Sequence, residues 1–189
     1  MADIVLTGDT SGAITVAAPA VAGTNTITLP AETGTIVTST SAATNTPAFA
    51  VTIGGNQTLS ETTATKAEFD TVQFDTDNAF NTSTYEFTVP TGAAGKYQIN
   101  GLVRVDSEVG ANLSSAIFYL YKNGSIKKRM YQYYTSNYIR AIAISMSTIL
   151  DLEVGDYLSF YAYINSVDNT GGKLNSGSYT DFSGHRLIT

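Results

Sequence analysis

From Pro47 onward the apolar positions of this chain recur with a period near two rather than 3.6. That period marks strands with one face turned to a core. Phe49-Val51-Ile53, Tyr85-Phe87-Val89 and Tyr97-Ile99 carry it, and Gly101-Leu102-Val103-Arg104-Val105 extends the last of them. Turn signals interrupt it at Gly54-Gly55-Asn56, Pro90-Thr91-Gly92, Lys122-Asn123-Gly124, Val154-Gly155-Asp156, Thr170-Gly171-Gly172 and Ser183-Gly184. Many short strands at such spacing predict an all-β sandwich or barrel. No stretch shows the pattern of an amphipathic helix.

Three predicted strands are apolar or aromatic on both faces: Ile117-Phe118-Tyr119-Leu120-Tyr121, Ile142-Ala143-Ile144-Ser145-Met146 and Tyr157-Leu158-Ser159-Phe160-Tyr161-Ala162-Tyr163. An antiparallel sheet with one wet side does not need that. Phe118 with Leu120, and Leu158 with Phe160, are expected inside the sandwich. Tyr119, Tyr121, Tyr161 and Tyr163 then form an exposed aromatic patch of the kind that marks an interface, which predicts self-association. The alternative is a thick monomer core whose tyrosine hydroxyls reach the surface.

Composition divides the chain. Residues 1–65 contain no Lys or Arg, one aromatic residue (Phe49) and 17 of the 28 Thr. Aromatic side chains supply the largest buried areas, so the main core must come from the remainder. Three stretches near the start, Ala13 to Val16, Asn25 to Pro30 and Gly34 to Thr38, alternate β-branched residues between Gly, Pro and Asn and predict two or three brief strands. A lone hairpin is marginal, so Ile14, Val16, Ile27, Leu29 and Ile36 are expected to dock on a partner. The expected organisation is a β arm over 1–38, a Ser/Thr/Ala/Asn-rich linker over 39–46 and a head over 47–189.

With Lys+Arg 10 against Asp+Glu 16, the net charge is −6. That argues against nucleic acid, whose phosphate backbone is gripped by clustered Lys and Arg. The absence of Cys removes disulfides, thiolate nucleophiles and cysteine zinc sites. Met1 to Asp9 carries no basic n-region, and no apolar run reaches the length of a spanning helix. The expectation is a protein that is soluble or assembled and not inserted in a membrane.

Few residues suit catalysis. His185 is the single histidine, and neither a Gly-x-Ser-x-Gly elbow nor a P-loop occurs. Asp70, Asp75 and Asp77 cluster with Asn78 and Asn81, and Asp168 adjoins Asn169. A glycosidase pair would need two converging carboxylates, and calcium would need oxygen ligands on loops. Turn capping explains the same residues and is preferred. No catalytic role and no bound cofactor are therefore expected, calcium remaining the one ion to consider.

The most suggestive surface is Lys127-Lys128-Arg129 followed by Tyr131, Tyr133, Tyr134 and Tyr138. On a strand Lys127, Arg129, Tyr131 and Tyr133 share one face and Lys128 takes the other. Such a face could grip a glycan or a protein. A charged edge strand that resists aggregation explains it equally well. The triplets beginning at Asn56, Asn81, Asn112 and Asn123 match glycosylation acceptors, which carry meaning only in a secreted chain.

From Pro47 to Ile188 an ordered series of motifs resembles the C1q-like family, the ten-stranded jelly roll shared with tumour-necrosis-factor-like trimers. The series runs through Ala48-Phe49-Ala50-Val51, Asn56-Gln57-Thr58-Leu59, Thr65 to Val72, Phe74-Asp75, and Phe80 leading to Tyr85-Glu86-Phe87-Thr88-Val89-Pro90. It continues with Gly95-Lys96-Tyr97-Gln98-Ile99, Leu120 to Gly124, Leu150 to Leu158 and Phe182 to Ile188. The resemblance implies a homotrimer with aromatic strands near the threefold axis and chemistry limited to binding; in such a trimer His185, on the last predicted strand, is expected at the interface near the axis. The signal peptide and collagen-like stalk of animal members have no counterpart in these residues.

Residues 8–38, with Ser11 to Val16 and Pro19 to Thr35, are similar to amino-terminal segments of tailed-bacteriophage virion and fibre proteins. Together the two resemblances imply a homotrimer on the virion surface, anchored by its arm to capsid or tail proteins. The expected role is capsid decoration, cement or head fibre. The alternative is a tail fibre that attaches to host surface glycans or proteins.

Overall fold

The computed structural model describes residues 4–7, 13–16 and 45–187. The chain divides into two units, 1–42 and 43–189. In the first, β1 (Ile4–Thr7) pairs antiparallel with β2 (Ala13–Val16), Ile4 standing opposite Val16 and Thr7 opposite Ala13. Strand β2, with Ile14 and Val16, falls on the first predicted stretch. Strand β1 was not foreseen as its partner. The stretches over 25–30 and 34–38, with Ile27, Leu29 and Ile36, lie outside the described residues, as does the linker over 39–44.

The second unit is built almost wholly of strands. They are β3 (Ala48–Thr52), β4 (Gln57–Leu59), β5 (Thr65–Lys66), β6 (Thr71–Asp75), β7 (Phe80–Asn81), β8 (Glu86–Thr88) and β9 (Gly95–Asp106). There follow β10 (Leu113–Lys122), β11 (Ser125–Tyr133), β12 (Ala141–Leu152), β13 (Tyr157–Ser166), β14 (Gly172–Leu174) and β15 (Asp181–Arg186). One turn of 3-10 helix at Gly177–Tyr179 is the helical element among the described residues.

These strands form two antiparallel sheets. Six strands make the first, ordered β11-β10-β13-β8-β7 with β5 also on β13. Seven make the second, ordered β4-β14-β9-β15-β3-β6 with β12 along the other side of β9. The two sheets therefore hold thirteen strands where the resemblance implies ten. Pieces of two or three residues, such as β5, β7 and β14, account for the surplus.

Alternation sorts the residues as the sequence predicts. Phe118, Leu120, Leu158 and Phe160 of the first sheet and Tyr97, Ile99, Val103 and Val105 of the second are sealed from solvent. Their removal from water supplies the main driving force, about 1.5–3 kcal/mol for each large apolar side chain. At the centre Phe182 presents its edge to Phe49 (centroids 4.9 Å apart) and Phe160 (4.6 Å), while Phe118 stacks on Phe160 at 4.5 Å. The sheets approach closely at Gly101 on β9, where a Cβ would lie 2.7 Å from the Phe160 ring and 2.8 Å from that of Phe118. A larger residue there forces the two rings to shift.

Turn chemistry sets the hairpin registers. Asn123 (φ 52°) and Gly124 (φ 73°) form the two-residue link of β10 to β11, with the positive φ pair of a type I′ turn. Gly155 also adopts a positive φ, as its place before Asp156 predicts.

Candidate functional site: an aromatic and basic sheet face

The predicted interface tyrosines and the predicted binding strand lie on one surface, the outward face of β11, β10 and β13. Cross-strand register aligns them in rows. Arg129 is opposite Tyr119, Tyr119 opposite Tyr161, and Tyr161 opposite Lys66 of β5. The next row runs Tyr131, Ile117, Tyr163, and the next Tyr133, Ser115, Asn165. The rings fall into two contacting groups, Tyr119 and Tyr161 about Tyr121, and Tyr131 with Tyr133, with Ile117 between Tyr131 and Tyr163. Tyr121 lies against Tyr161 with centroids 4.2 Å apart, and Tyr131 and Tyr133 lie nearly parallel at 6.1 Å.

Exposure within this layer is graded, and Tyr119 departs from the expected exposed patch. Tyr119 is only 8% exposed in a single chain and Ile117 9%, because neighbouring rings cover them. Tyr121, Tyr161 and Tyr163 are half-buried, whereas Tyr131 and Tyr133 are 54% and 59% exposed. Burial pushes the Tyr119 phenol above its ordinary pKa, with Tyr121 and Tyr163 adding to the effect and Arg129 opposing it. The Lys66 ammonium lies 5.9 Å from the Tyr161 ring centroid and pairs with Glu86 at 2.6 Å.

Two other placements differ from the sequence reading. A register shift at Leu120/Tyr121 pairs Leu120 with Lys128 but Tyr121 with Ile126, leaving Lys127 as the extra residue of a bulge. Ile126, rather than Lys127, is thus the residue opposite Tyr121. His185 sits on β15 in the other sheet, paired with Ala48 and Gln98, so it does not join the four tyrosines. Alternation tells which residues of a strand share a face and is silent on which sheet the strand enters. Tyr134 and Tyr138 are half-buried in the loop after β11, where the Tyr134 N–H donates to the Ser114 carbonyl at 2.8 Å.

Among the described strands β11 is the edge of its sheet, and eight of its nine residues are exposed. Edge protection and ligand binding therefore both remain compatible with Lys127, Lys128 and Arg129.

Around His185 the outward face of the seven-stranded sheet is of another kind. One row reads Ser147, Asn100, Ser183, Ala50, Phe74 and the next Ile149, Gln98, His185, Ala48. Neither row contains Lys, Arg, Asp or Glu. Gln98 donates to Ser147 Oγ at 2.8 Å, and that hydroxyl donates to Asn100 at 2.9 Å. Ala48, Ala50, Phe74, Ser183 and His185 line an open depression at the β3 side. No local pattern marks Phe74, Gln98, Asn100 and Ser147 as one surface, because their juxtaposition depends on strand order.

The acidic residues are occupied as turn acceptors. Asp75 takes the N–H groups of Ala79 (3.1 Å) and Phe80 (2.8 Å), and Asp70 takes that of Gly54 at 2.7 Å. Asp168 accepts from Asn112 and Thr170, both at 2.7 Å. Among the described residues no three His, Asp or Glu side chains converge to hold a metal ion. Asn81 caps its own turn by accepting the Ser83 N–H, whereas Asn56, Asn112 and Asn123 hydrogen-bond across to Ser176, Asp168 and Tyr157.

Two antiparallel sheets packed around a phenylalanine core, each with a large outward face, define the head. The C1q domain profile matches residues 48–187, and the chain belongs to the C1q domain family. The globular domain of zebrafish complement 1qA protein is similar in fold, with a TM-score of 0.57 at 16% identity, over 75% of this chain and 97% of that one. No curated protein sequence matches the chain. Proteins of the C1q domain family are non-enzymatic recognition and structural modules that typically form trimers and bind other ligands.

Proposed function

We propose that the protein is a homotrimeric virion surface protein, with the C1q head displayed and the amino-terminal arm joined to other virion proteins. The observation that carries the self-association is the pair of uncharged rows on the seven-stranded sheet. A sheet face that stays in water normally alternates toward charged side chains, and a flat uncharged face wants a cover. A second and third copy of the same face close the surface by cyclic symmetry. We place the shared axis on this sheet rather than on the tyrosine layer, because Tyr119 is already covered within one chain.

The virion assignment rests on the likeness of residues 8–38 to phage amino-terminal segments. Capsid decoration, cement or head fibre is the preferred role, with the arm joined to the capsid lattice. Tail-fibre attachment is the second reading, favoured by the exposed Tyr131 and Tyr133 beside Arg129.

Sedimentation of dilute protein tests the trimer. Three copies are expected for the native chain and one folded copy for Ala50→Glu, which plants a charge in the uncharged rows. A native chain that sediments singly removes the trimer and leaves the C1q fold untouched. Labelling of purified particles tests location: many copies over the capsid support decoration, a few at the tail support the fibre, and none removes the virion role.

A further inference from the structure

On an acidic chain, the stretch from Val109 to Leu150 contains no Asp or Glu and carries five of the ten Lys and Arg residues. Strands β10 and β11 lie inside this stretch, and β13 beside them, Tyr157–Ser166, is also free of acids. The tyrosine face is therefore a local island without negative charge, edged by Arg129 and Lys127. Among the described residues the carboxylates that border it are held: Glu86 by Lys66, Asp156 by Lys122 and Asn123 at the β10–β11 turn, and Glu61 by Ser166 at the end of β13. Local charge, not the net charge, decides what a small patch attracts within a Debye length of about 8–10 Å.

We propose that the outward face of β11, β10 and β13 binds an anionic glycan. Tyr131 and Tyr133, nearly parallel at an interplanar angle of 25°, present a flat apolar platform suited to the carbon–hydrogen face of a sugar ring. The phenol hydroxyls of the layer offer both donors and acceptors to sugar hydroxyls, which occur on nearly every ring carbon. Arg129 supplies a planar fork for a carboxylate or phosphate carried on the glycan, and Lys127 on the bulge adds a point charge. A sugar chain with one charge per repeat suits so small a basic patch on a protein of net charge −6. A nucleic acid, with a phosphate at every residue, meets repulsion from the rest of the surface. This inference rests on reading the head as a binding module. It requires neither the trimer nor the virion location, which the sedimentation and labelling experiments test separately.

The full chain is passed over immobilised polygalacturonate, which carries carboxylates, over a ribitol-phosphate teichoic acid, over neutral dextran and over oligothymidylate. Retention on at least one anionic glycan, weakened by salt and absent on dextran, is expected. Arg129→Ala should weaken it about tenfold, and Tyr131→Ala with Tyr133→Ala by at least as much, as for central binding residues. All three side chains are exposed, so circular dichroism and the oligomeric state should match the native chain. No retention on either anionic glycan overturns the proposal. So does retention that these substitutions leave unchanged, and variants that aggregate while still binding assign the strand to edge protection. Equal retention on oligothymidylate through the same residues transfers the face to nucleic acid and likewise overturns it.

Discussion

The side-chain amide of Asn123 donates to Asp156 at 2.6 Å, tying the β10–β11 turn to the β12–β13 turn. Asn123 also accepts the Tyr157 N–H at 2.9 Å, and Lys122 pairs with the other Asp156 oxygen at 2.6 Å. Burial by itself would raise the Asp156 carboxyl. Lys122, Asn123 and the Glu153 N–H outweigh it and bring the pKa down from 3.8 to about 2.

Because the folded value lies below the unfolded one, the stabilisation from Asp156 is present above pH 3.8 and is lost as pH falls through about 2. Asp156→Asn should cost about 1–3 kcal/mol near neutrality, measured by urea unfolding. Between pH 4 and 2 the variant should lose less stability than the native chain. Parallel losses would deny Asp156 this role.

Tyr97 makes the opposite prediction in alkali. Its hydroxyl donates to the Ala93 carbonyl at 2.6 Å, and burial raises the phenol pKa from 10.0 to about 12, against the opposing charge of Arg186. A raised folded value means stabilisation that is complete below pH 10.0 and disappears as pH rises through about 12. Thermal unfolding over that interval should fall more steeply for the native chain than for Tyr97→Phe. At pH 7 the same variant should be about 1 kcal/mol less stable through the lost hydrogen bond.

Gly101→Ala forces a methyl group against Phe160 and Phe118. We expect a loss of about 1–3 kcal/mol from overpacking. Adding Phe118→Leu should make the double variant more stable than the sum of the two single losses, since the residues share one space. Additive losses in a double-mutant cycle would show that the clash is relieved elsewhere.

Phe182 contacts Phe49, Phe69, Phe80 and Phe160 ring to ring. Phe182→Ala should cost about 3–5 kcal/mol, the range for emptying a large core site. A loss below 1 kcal/mol, read from denaturant midpoints, would mean that the sheets collapse onto the gap.

Period-two spacing made the sandwich legible, and it assigned Phe118, Leu120, Leu158 and Phe160 to the interior correctly because alternation is a local property. The Asn-Gly and Val-Gly-Asp turns were legible for the same reason. Strand order was not, since β9 meets β12, β14 and β15 through pairings distant in sequence. That is why His185 was grouped with tyrosines from which a whole sheet separates it. Tyr119 misled in another way: alternation turns it outward, but the rings around it provide the burial. The bulge that displaces Lys127 leaves no mark in composition, as it depends on the partner strand.

Strand β15 lies between β9 and β3 in the middle of the seven-stranded sheet and carries Phe182. It is also the final strand of the head, so a nascent chain on the ribosome holds the rest of its sheet open until residues 181–186 emerge. Until then Phe49 and Ile99 stay wet and sticky, and the vacant slot accepts any passing extended segment. Until residues 181–186 take their place, the open sheet is exposed to capture by a neighbour's strand.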